Sequence, residues 1–254
     1  MSFIRTCLLT TASVLGLAAS GASAGEVSVA VAANFTAPLE AIAAAFTAAT
    51  GHRVVVCGGS TGMLYAQITQ GAPFDVLLAA DAATPARIEE DELAVTGTRR
   101  TYAVGRLVLW SARPDFVDER GEVLRGDGFT HLAIANPDLA PYGAAAHETL
   151  VALGLAERLA PRLVTGQNVA QTFQFISSGS AELGFVARSQ VWRDGRLTSG
   201  SGWLVPAGFH SPLRQDAVLL RRGEDNPAAV ALLKFLQEPA AVAIIAAFGY
   251  EQEP

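Results

Sequence analysis

Glu26–Asp81 reads EVSVAVAANFTAPLEAIAAAFTAATGHRVVVCGGSTGMLYAQITQGAPFDVLLAAD, and this stretch decides the fold class. Three short apolar segments alternate in it with two longer segments that are apolar at every third or fourth residue. Leu39, Ile42 and Phe46 fall on one face of the first long segment, which predicts an amphipathic helix closed by Gly51. A strand–helix–strand–helix–strand order implies right-handed crossovers, and it predicts a parallel sheet covered by helices on both faces.

The rest of the chain repeats this alternation. Thr84 and Pro85 predict the cap and first residue of a further helix, Tyr102–Trp110 predicts one long strand, and Asn226 with Pro227 predicts the start of a C-terminal helix. No Pro/Ser/Gly-rich linker separates the two halves, so we expect the chain to cross between them within 103–106 and 214–218.

The sequence therefore predicts a two-lobed α/β fold. Each lobe is expected to be a mostly parallel sheet flanked by helices, with a ligand cleft between the lobes. The predicted ranges are 25–103 plus 217–254 for lobe I and 104–216 for lobe II.

The first 24 residues have the pattern of a secretory signal peptide. Arg5 supplies a positive start, residues 7–19 are apolar, and small residues precede Gly25. The apolar run is shorter than the roughly 20 residues that a bilayer-spanning helix needs. We therefore expect cleavage after Ala24, export to the periplasm and no membrane insertion of the mature chain. Cys57 is then the single remaining cysteine, so no internal disulfide is expected.

Composition excludes several classes of protein. The chain is 50% hydrophobic, which is enough for a packed core and argues against intrinsic disorder. Its net charge of −6, without a basic run, argues against nucleic-acid binding. Lys234 is the only lysine, so there is no P-loop motif, and the four histidines lack metal-ligand spacing. We expect no metal bound directly by side chains and no cofactor.

Four predicted strand-to-helix loops share an unusual property, because none of them contains an acid or a base. In open α/β sheets such loops lie at the carboxyl ends of the strands, where ligands bind. The helices they open offer unpaired N–H groups and a partial positive charge, which suit an anion held by neutral hydrogen bonds. The four loops are Ala32–Thr36, Gly58–Gly62, Ala140–Ala144 and Gly166–Gln171.

Two other interpretations of these loops remain open. Asn34 and Ser60 are ordinary N-cap residue types, so capping alone could explain them. Gly58–Gly62 (GGSTG) also matches the G-x-S-x-G nucleophile elbow of secreted serine hydrolases, with Ser60 as nucleophile. The partners in the required order would be Asp138 or Asp194 and then His210, although few residues precede the elbow.

The chain resembles the periplasmic molybdate-binding proteins of ABC transporters over essentially its whole length from Glu26 to Tyr250. Besides the opening stretch, the resemblance rests on TYAVGRLVLWSA (101–112), HLAIANPDLAPYG (131–143) and ELGFVA (182–187). It implies a type II periplasmic-binding-protein fold that captures molybdate or tungstate and delivers it to a membrane permease. Such a protein is not an enzyme, and we expect a monomer. A receptor for sulfate or another tetrahedral oxyanion is the alternative within this class.

The resemblance also implies which residues hold the anion. Ala33 stands where some relatives carry a hydroxyl and Ala187 where others carry a tyrosine, so the set of donors differs from theirs. The implied ligands are Asn34, Thr61, Tyr142 and Val169, with Ala33 and Ser60 as weaker candidates.

Overall fold

The computed structural model describes residues 24–252, so the predicted signal peptide lies, except for Ala24, outside the described residues. The strands of this range are β1 (Glu26–Ala32), β2 (Arg53–Gly59), β3 (Val76–Leu78), β4 (Arg100–Gly105), β5 (Leu107–Ser111), β6 (Leu132–Ala135), β7 (Leu163–Gly166), β8 (Leu183–Ala187), β9 (Trp192–Arg193), β10 (Arg196–Leu197), β11 (Ser201–Leu204) and β12 (Leu213–Leu219). The helices are α1 (Thr36–Thr50), α2 (Thr61–Thr69), α3 (Ala83–Glu90), α4 (Pro141–Ala152), α5 (Ala156–Leu159), α6 (Val169–Ser177), α7 (Arg188–Val191), α8 (Pro227–Phe235) and α9 (Pro239–Ala247).

The first sheet has the order β2-β1-β3-β12-β4. β1 pairs in parallel with β2 and β3, whereas β12 runs antiparallel to β3 and β4. One face packs against α1, α8 and α9, and Leu39, Ile42 and Phe46 of α1 are all fully buried there, as their spacing predicts. The other face packs against α2 and α3 through Leu64, Ile68 and Ile88, so the sheet is covered on both sides.

The second sheet has the order β11-β5-β8-β6-β7. β6 pairs in parallel with β7 and β8, while β5 runs antiparallel to both β8 and β11. Four strands of each sheet therefore share one direction and the fifth opposes them. Together the two mixed sheets with their flanking helices confirm the predicted two-lobed α/β fold.

The prediction of one long strand over Tyr102–Trp110 is wrong. The chain forms β4 in the first sheet and β5 in the second, with Arg106 between them. The break falls within the predicted crossing at 103–106, where Gly105 and Arg106 interrupt the apolar residues. The predicted second crossing within 214–218 is wrong, because those residues lie inside β12 of the first sheet and the chain returns to that sheet between β11 and β12. The predicted residue ranges of the two lobes stay a prediction.

The predicted cap of the third helix is also wrong. Thr84 lies inside α3, which begins at Ala83. Asp81 performs the capping role, because its Oδ1 accepts the Thr84 N–H at 2.7 Å and its Oδ2 accepts the Thr84 hydroxyl at 3.1 Å. A carboxylate near a helix N-terminus is also favoured by the helix dipole. The predicted Asn226 cap of α8 is confirmed, since its side chain accepts the Ala228 N–H.

Within residues 24–252 no single helix is long and apolar enough to cross a membrane. The bent pair α8 and α9, at 62° to each other, passes that criterion by length and composition when taken together.

The second sheet leaves no room for a side chain at Gly184 of β8. A Cβ there would lie 2.4 Å from the Ala133 carbonyl oxygen of β6. We expect Gly184→Ala to lower the free energy of unfolding by about 1–3 kcal/mol, because such overpacking forces the strands apart. Chemical denaturation measures this. Gly128→Ala is the matched control, since an added Cβ there meets nothing within 4 Å, and an equal effect of both variants would contradict the packing argument.

Candidate functional site

The four neutral loops meet at one compact cavity between the sheets. It is lined by Ala32–Asn34 and Gly59–Thr61 from the first lobe and by Ala140–Tyr142 and Asn168–Val169 from the second, with Ala80 beside them. The candidate ligands are all in this lining, including the weaker candidates Ala33 and Ser60. The structure therefore brings the predicted site residues together, although contact with a ligand stays a prediction for each of them.

Within residues 24–252, no charged side chain lines this cavity. A second cavity of about 290 Å³ adjoins it and shares Ala80, Ala140 and Pro141. That larger cavity is lined by the carboxylates of Asp81, Asp138 and Glu148, which disfavour an anion. Charge therefore distinguishes the two cavities, and the lining of the compact one is the better match for an anion.

Three helices begin at the compact cavity, and their first backbone N–H groups point out of the helix. In α6 the Asn168 side chain accepts the N–H groups of Ala170 and Gln171, each at 3.0 Å. In α4 the Ala140 carbonyl accepts the Gly143 and Ala144 N–H groups. These caps do not involve the N–H groups of Val169 and Tyr142, which stay available as donors to a ligand.

Ser60 carries a buried hydroxyl without a partner. It is 3% exposed, it occupies the N-cap position of α2 without a side-chain cap hydrogen bond, and its Oγ makes no hydrogen bond. Capping therefore does not explain Ser60. An unsatisfied buried hydroxyl is costly, so its place in the lining points to a ligand acceptor.

Thr61 uses its hydroxyl differently. Its Oγ1 accepts the buried Ala80 N–H at 3.1 Å, which leaves the hydroxyl proton free for a ligand. Thr61 thus fixes the end of β3 and can still donate. The resemblance ranks Thr61 above Ser60, whereas the geometry makes the two hydroxyls complementary donors.

Asn34 is held from behind the cavity. Its Nδ2 donates to Gln215 Oε1 and to Tyr250 Oη, both at 2.9 Å. Both amide protons are therefore engaged, and the donor that Asn34 can offer a ligand is its backbone N–H at the start of the short 3₁₀ helix Ala33–Phe35. The capping interpretation fails here too, because the Asn34 side chain caps no helix.

Sequence reasoning missed the residues that hold Asn34. Gln215, Tyr250 and Ser189 are buried around it, and the Ser189 hydroxyl donates to the Asn34 carbonyl at 2.8 Å. A polar residue inside the buried strand β12 was the available signal for Gln215. Burial raises the pKa of the Tyr142 and Tyr102 phenols well above the ordinary value, and it raises the pKa of Tyr250. The network is therefore uncharged at neutral pH.

The geometry does not form a hydrolase triad. Ser60 Oγ has no hydrogen-bond partner, so no imidazole lies within reach to take its proton. His210 Nδ1 instead lies 2.8 Å from the Ser211 carbonyl oxygen, and Asp138 lines the larger cavity. Residues 24–252 also contain no group of three or more His, Cys, Asp or Glu side chains that could hold a metal ion.

Comparisons with known proteins agree on one class. Residues 27–251 match the family described as bacterial extracellular solute-binding protein. The molybdate-binding protein ModA of Azotobacter vinelandii is 56% identical over 235 residues, which cover 92% of this chain and 93% of that protein. ModA of Rhodobacter capsulatus is 52% identical over 241 residues, with coverage of 94% and 93%. The solved Azotobacter vinelandii periplasmic molybdate-binding protein superposes with a TM-score of 0.87 at 41% identity, covering 90% of this chain and all of that one.

The Thr61 hydroxyl gives a testable contribution to stability. We expect Thr61→Val to lower the free energy of unfolding by about 1–3 kcal/mol, because it leaves the buried Ala80 N–H unpaired. Urea denaturation without ligand measures this. Thr149→Val is the matched control: Thr149 is equally buried, but its hydroxyl donates to the Ala145 carbonyl within α4 and accepts from no orphan N–H. Equal losses in the free energy of unfolding would show that the Ala80–Thr61 hydrogen bond contributes no more than the Thr149 hydroxyl bond within α4.

Proposed function

Because this chain belongs to the bacterial extracellular solute-binding proteins and, within them, to the ModA family, we propose that it captures molybdate between its lobes. The observation that carries this proposal is the set of neutral donors around the compact cavity. They comprise the hydroxyls of Ser60 and Thr61 and the first backbone N–H groups of the helices that meet there. Delivery of the anion to the membrane permease of an ABC transporter completes the role.

The energetics of such a site are consistent with tight binding. A dianion must lose its hydration shell, which is very costly without compensation. Each hydrogen bond to a charged group returns about 1.5–3 kcal/mol. Nanomolar binding needs about −12 kcal/mol, so on the order of six donors are enough. Helix N-termini add favourable dipoles without introducing a counter-charge.

Neutral donors also account for selectivity. A protonated oxyanion such as hydrogen phosphate needs an acceptor, and the cavity lining contains no carboxylate to provide one. A smaller dianion such as sulfate cannot reach all donors at once, and each donor left unpaired costs affinity. Tungstate has nearly the size and charge of molybdate, so we propose that both bind.

We further propose that the protein acts as a periplasmic monomer without a cofactor. Signal cleavage after Ala24 would release a monomeric protein into the periplasm, where it needs neither a cofactor nor a metal bound by side chains. It would bind no nucleic acid and catalyse no reaction. Absence of a base at Ser60 Oγ supports the last point, and we expect no turnover of an activated ester.

Thermal unfolding of ligand-free protein with molybdate, tungstate, sulfate or phosphate at equal concentration tests the proposal. A ligand at 1,000 times its Kd adds about 4 kcal/mol, which is a rise in Tm on the order of 10 °C for a chain of this size. We expect this rise with molybdate and tungstate alone. An equal rise in Tm with sulfate would contradict the proposed ligand, and no rise with any of the four anions would contradict the binding function.

Ser60→Ala separates binding from stability. We expect Kd for molybdate to increase about 10- to 100-fold, because one hydrogen bond to a charged group is lost. The free energy of unfolding without ligand should stay the same or increase, since Ala removes a buried hydroxyl that has no partner. Titration calorimetry and urea denaturation measure the two quantities.

Ser111→Ala is the matched control for this variant. Ser111 is also buried, but its hydroxyl donates to the Glu182 carbonyl at 2.6 Å, outside the cavity lining. The opposite pattern is expected, with lower stability and unchanged affinity. Unchanged affinity in Ser60→Ala would remove Ser60 from the ligand set.

A further inference from the structure

Gln215 lies between the two lobes, behind the compact cavity. It belongs to β12 of the first sheet and is fully buried. The register of β12 against β4 shifts between Gln215 and Asp216. Such bulges re-aim a side chain next to functional sites. Burying a carboxamide, which can make four hydrogen bonds, costs free energy unless its hydrogen-bond partners are in place.

The partners of Gln215 come from both lobes. Its Oε1 accepts from Asn34 Nδ2 at 2.9 Å and from Tyr102 Oη at 3.1 Å, both in the first lobe. Its Nε2 donates to Tyr142 Oη at 3.1 Å, at the start of α4 in the second lobe. Asn34 and Tyr142 line the compact cavity from opposite lobes. The Gln215 carboxamide thus makes hydrogen bonds with the side chains of both Asn34 and Tyr142.

The backbone of β4 leaves space for this contact. A Cβ at Gly105 would lie 2.1 Å from Tyr142 Oη and 2.5 Å from Gln215 Nε2. Only a residue without a side chain allows the phenol and the amide to meet there. The bulge in β12 lies next to Gln215, and Gly105 of β4 leaves the space that its side chain needs. Features of both strands therefore allow the hydrogen bond between Gln215 and Tyr142.

A second connection supports the same geometry. Tyr250 Oη accepts from Asn34 Nδ2, and it lies 3.1 Å from Ser189 Oγ of α7 in the second lobe. The Ser189 hydroxyl in turn donates to the Asn34 carbonyl at 2.8 Å. The Asn34 loop is therefore tied to the second lobe through Ser189 as well as through Gln215 and Tyr142.

We infer that Gln215 is a positioning residue, which aligns the Asn34 and Tyr142 donors of opposite lobes on one anion. The inference rests on the proposed function and adds the device that sets the spacing between the two loops. Donors placed before the ligand arrives lose less freedom on binding. Without Gln215 the phenol of Tyr142 and the carboxamide of Asn34 lose their common partner, and the lobes close with a less definite spacing.

The test measures Kd and the dissociation rate of molybdate for Gln215→Met, Tyr142→Phe and the double variant, beside the unmodified protein. Gln215→Met removes the hydrogen bonds at similar volume, and Tyr142→Phe keeps the backbone N–H. We expect Gln215→Met to weaken binding about 10- to 100-fold, as removal of supporting partners does in metal sites, mainly through faster dissociation. Tyr142→Phe should weaken binding less, and the double variant should match Gln215→Met, because the two changes remove the same contact.

Asn226→Ala is the matched control for lost stability. Its amide donates to the Glu26 carbonyl at 2.8 Å and its oxygen caps α8, outside the cavity lining. We expect lower stability and unchanged Kd. If Gln215→Met lowers stability and leaves Kd unchanged, or if the losses in Kd simply multiply in the double variant, the inference is wrong. Failure of the unmodified protein to bind any oxyanion would instead overturn the proposed function.

Discussion

The proposed function imposes one electrostatic constraint, which is that a dianion must be held in a buried space without a counter-charge. The donors must then be neutral, numerous and fixed, because each replaces a water molecule of the anion. Helix N-termini meet this requirement with backbone N–H groups alone. α2, α4 and α6 all begin at the compact cavity, and the partnerless hydroxyl of Ser60 lies among them. The three carboxylates nearby line the separate cavity of about 290 Å³.

The two sheets explain how loops far apart in the chain meet. Parallel strands followed by helices place their loops at one edge of a sheet, and the two lobes turn these edges toward each other. β5 and β12 run against the other strands of their sheets, and they lie where the chain passes between lobes. Because Gln215 stands on β12, the same strand that joins the lobes also contacts the loops of both.

Much of this arrangement could be predicted from the sequence, because strand and helix periodicity and the absence of charge are local properties. The four loops and the burial of Leu39, Ile42 and Phe46 follow from them. The crossing near Arg106 could also be placed from the sequence, but the assignment of β4 and β5 to different sheets as two separate strands could not, since strand pairing is not a local property. Nor could the Asn34–Gln215 bond, which joins residues 181 positions apart. Whether Ser60 or Thr61 has a free hydroxyl depends on the distant Ala80 N–H.

The most direct test of the account is a crystal structure of the protein with molybdate, with anomalous data collected at the molybdenum edge. We expect one strong peak in the compact cavity, with oxygens in hydrogen-bond contact with Ser60 Oγ, Thr61 Oγ1 and the backbone N–H groups of Tyr142 and Val169. No charged side chain should touch the anion. A peak in the larger cavity beside Asp81 and Glu148, or an arginine in contact with the anion, would contradict the claim that neutral donors from both lobes form the site.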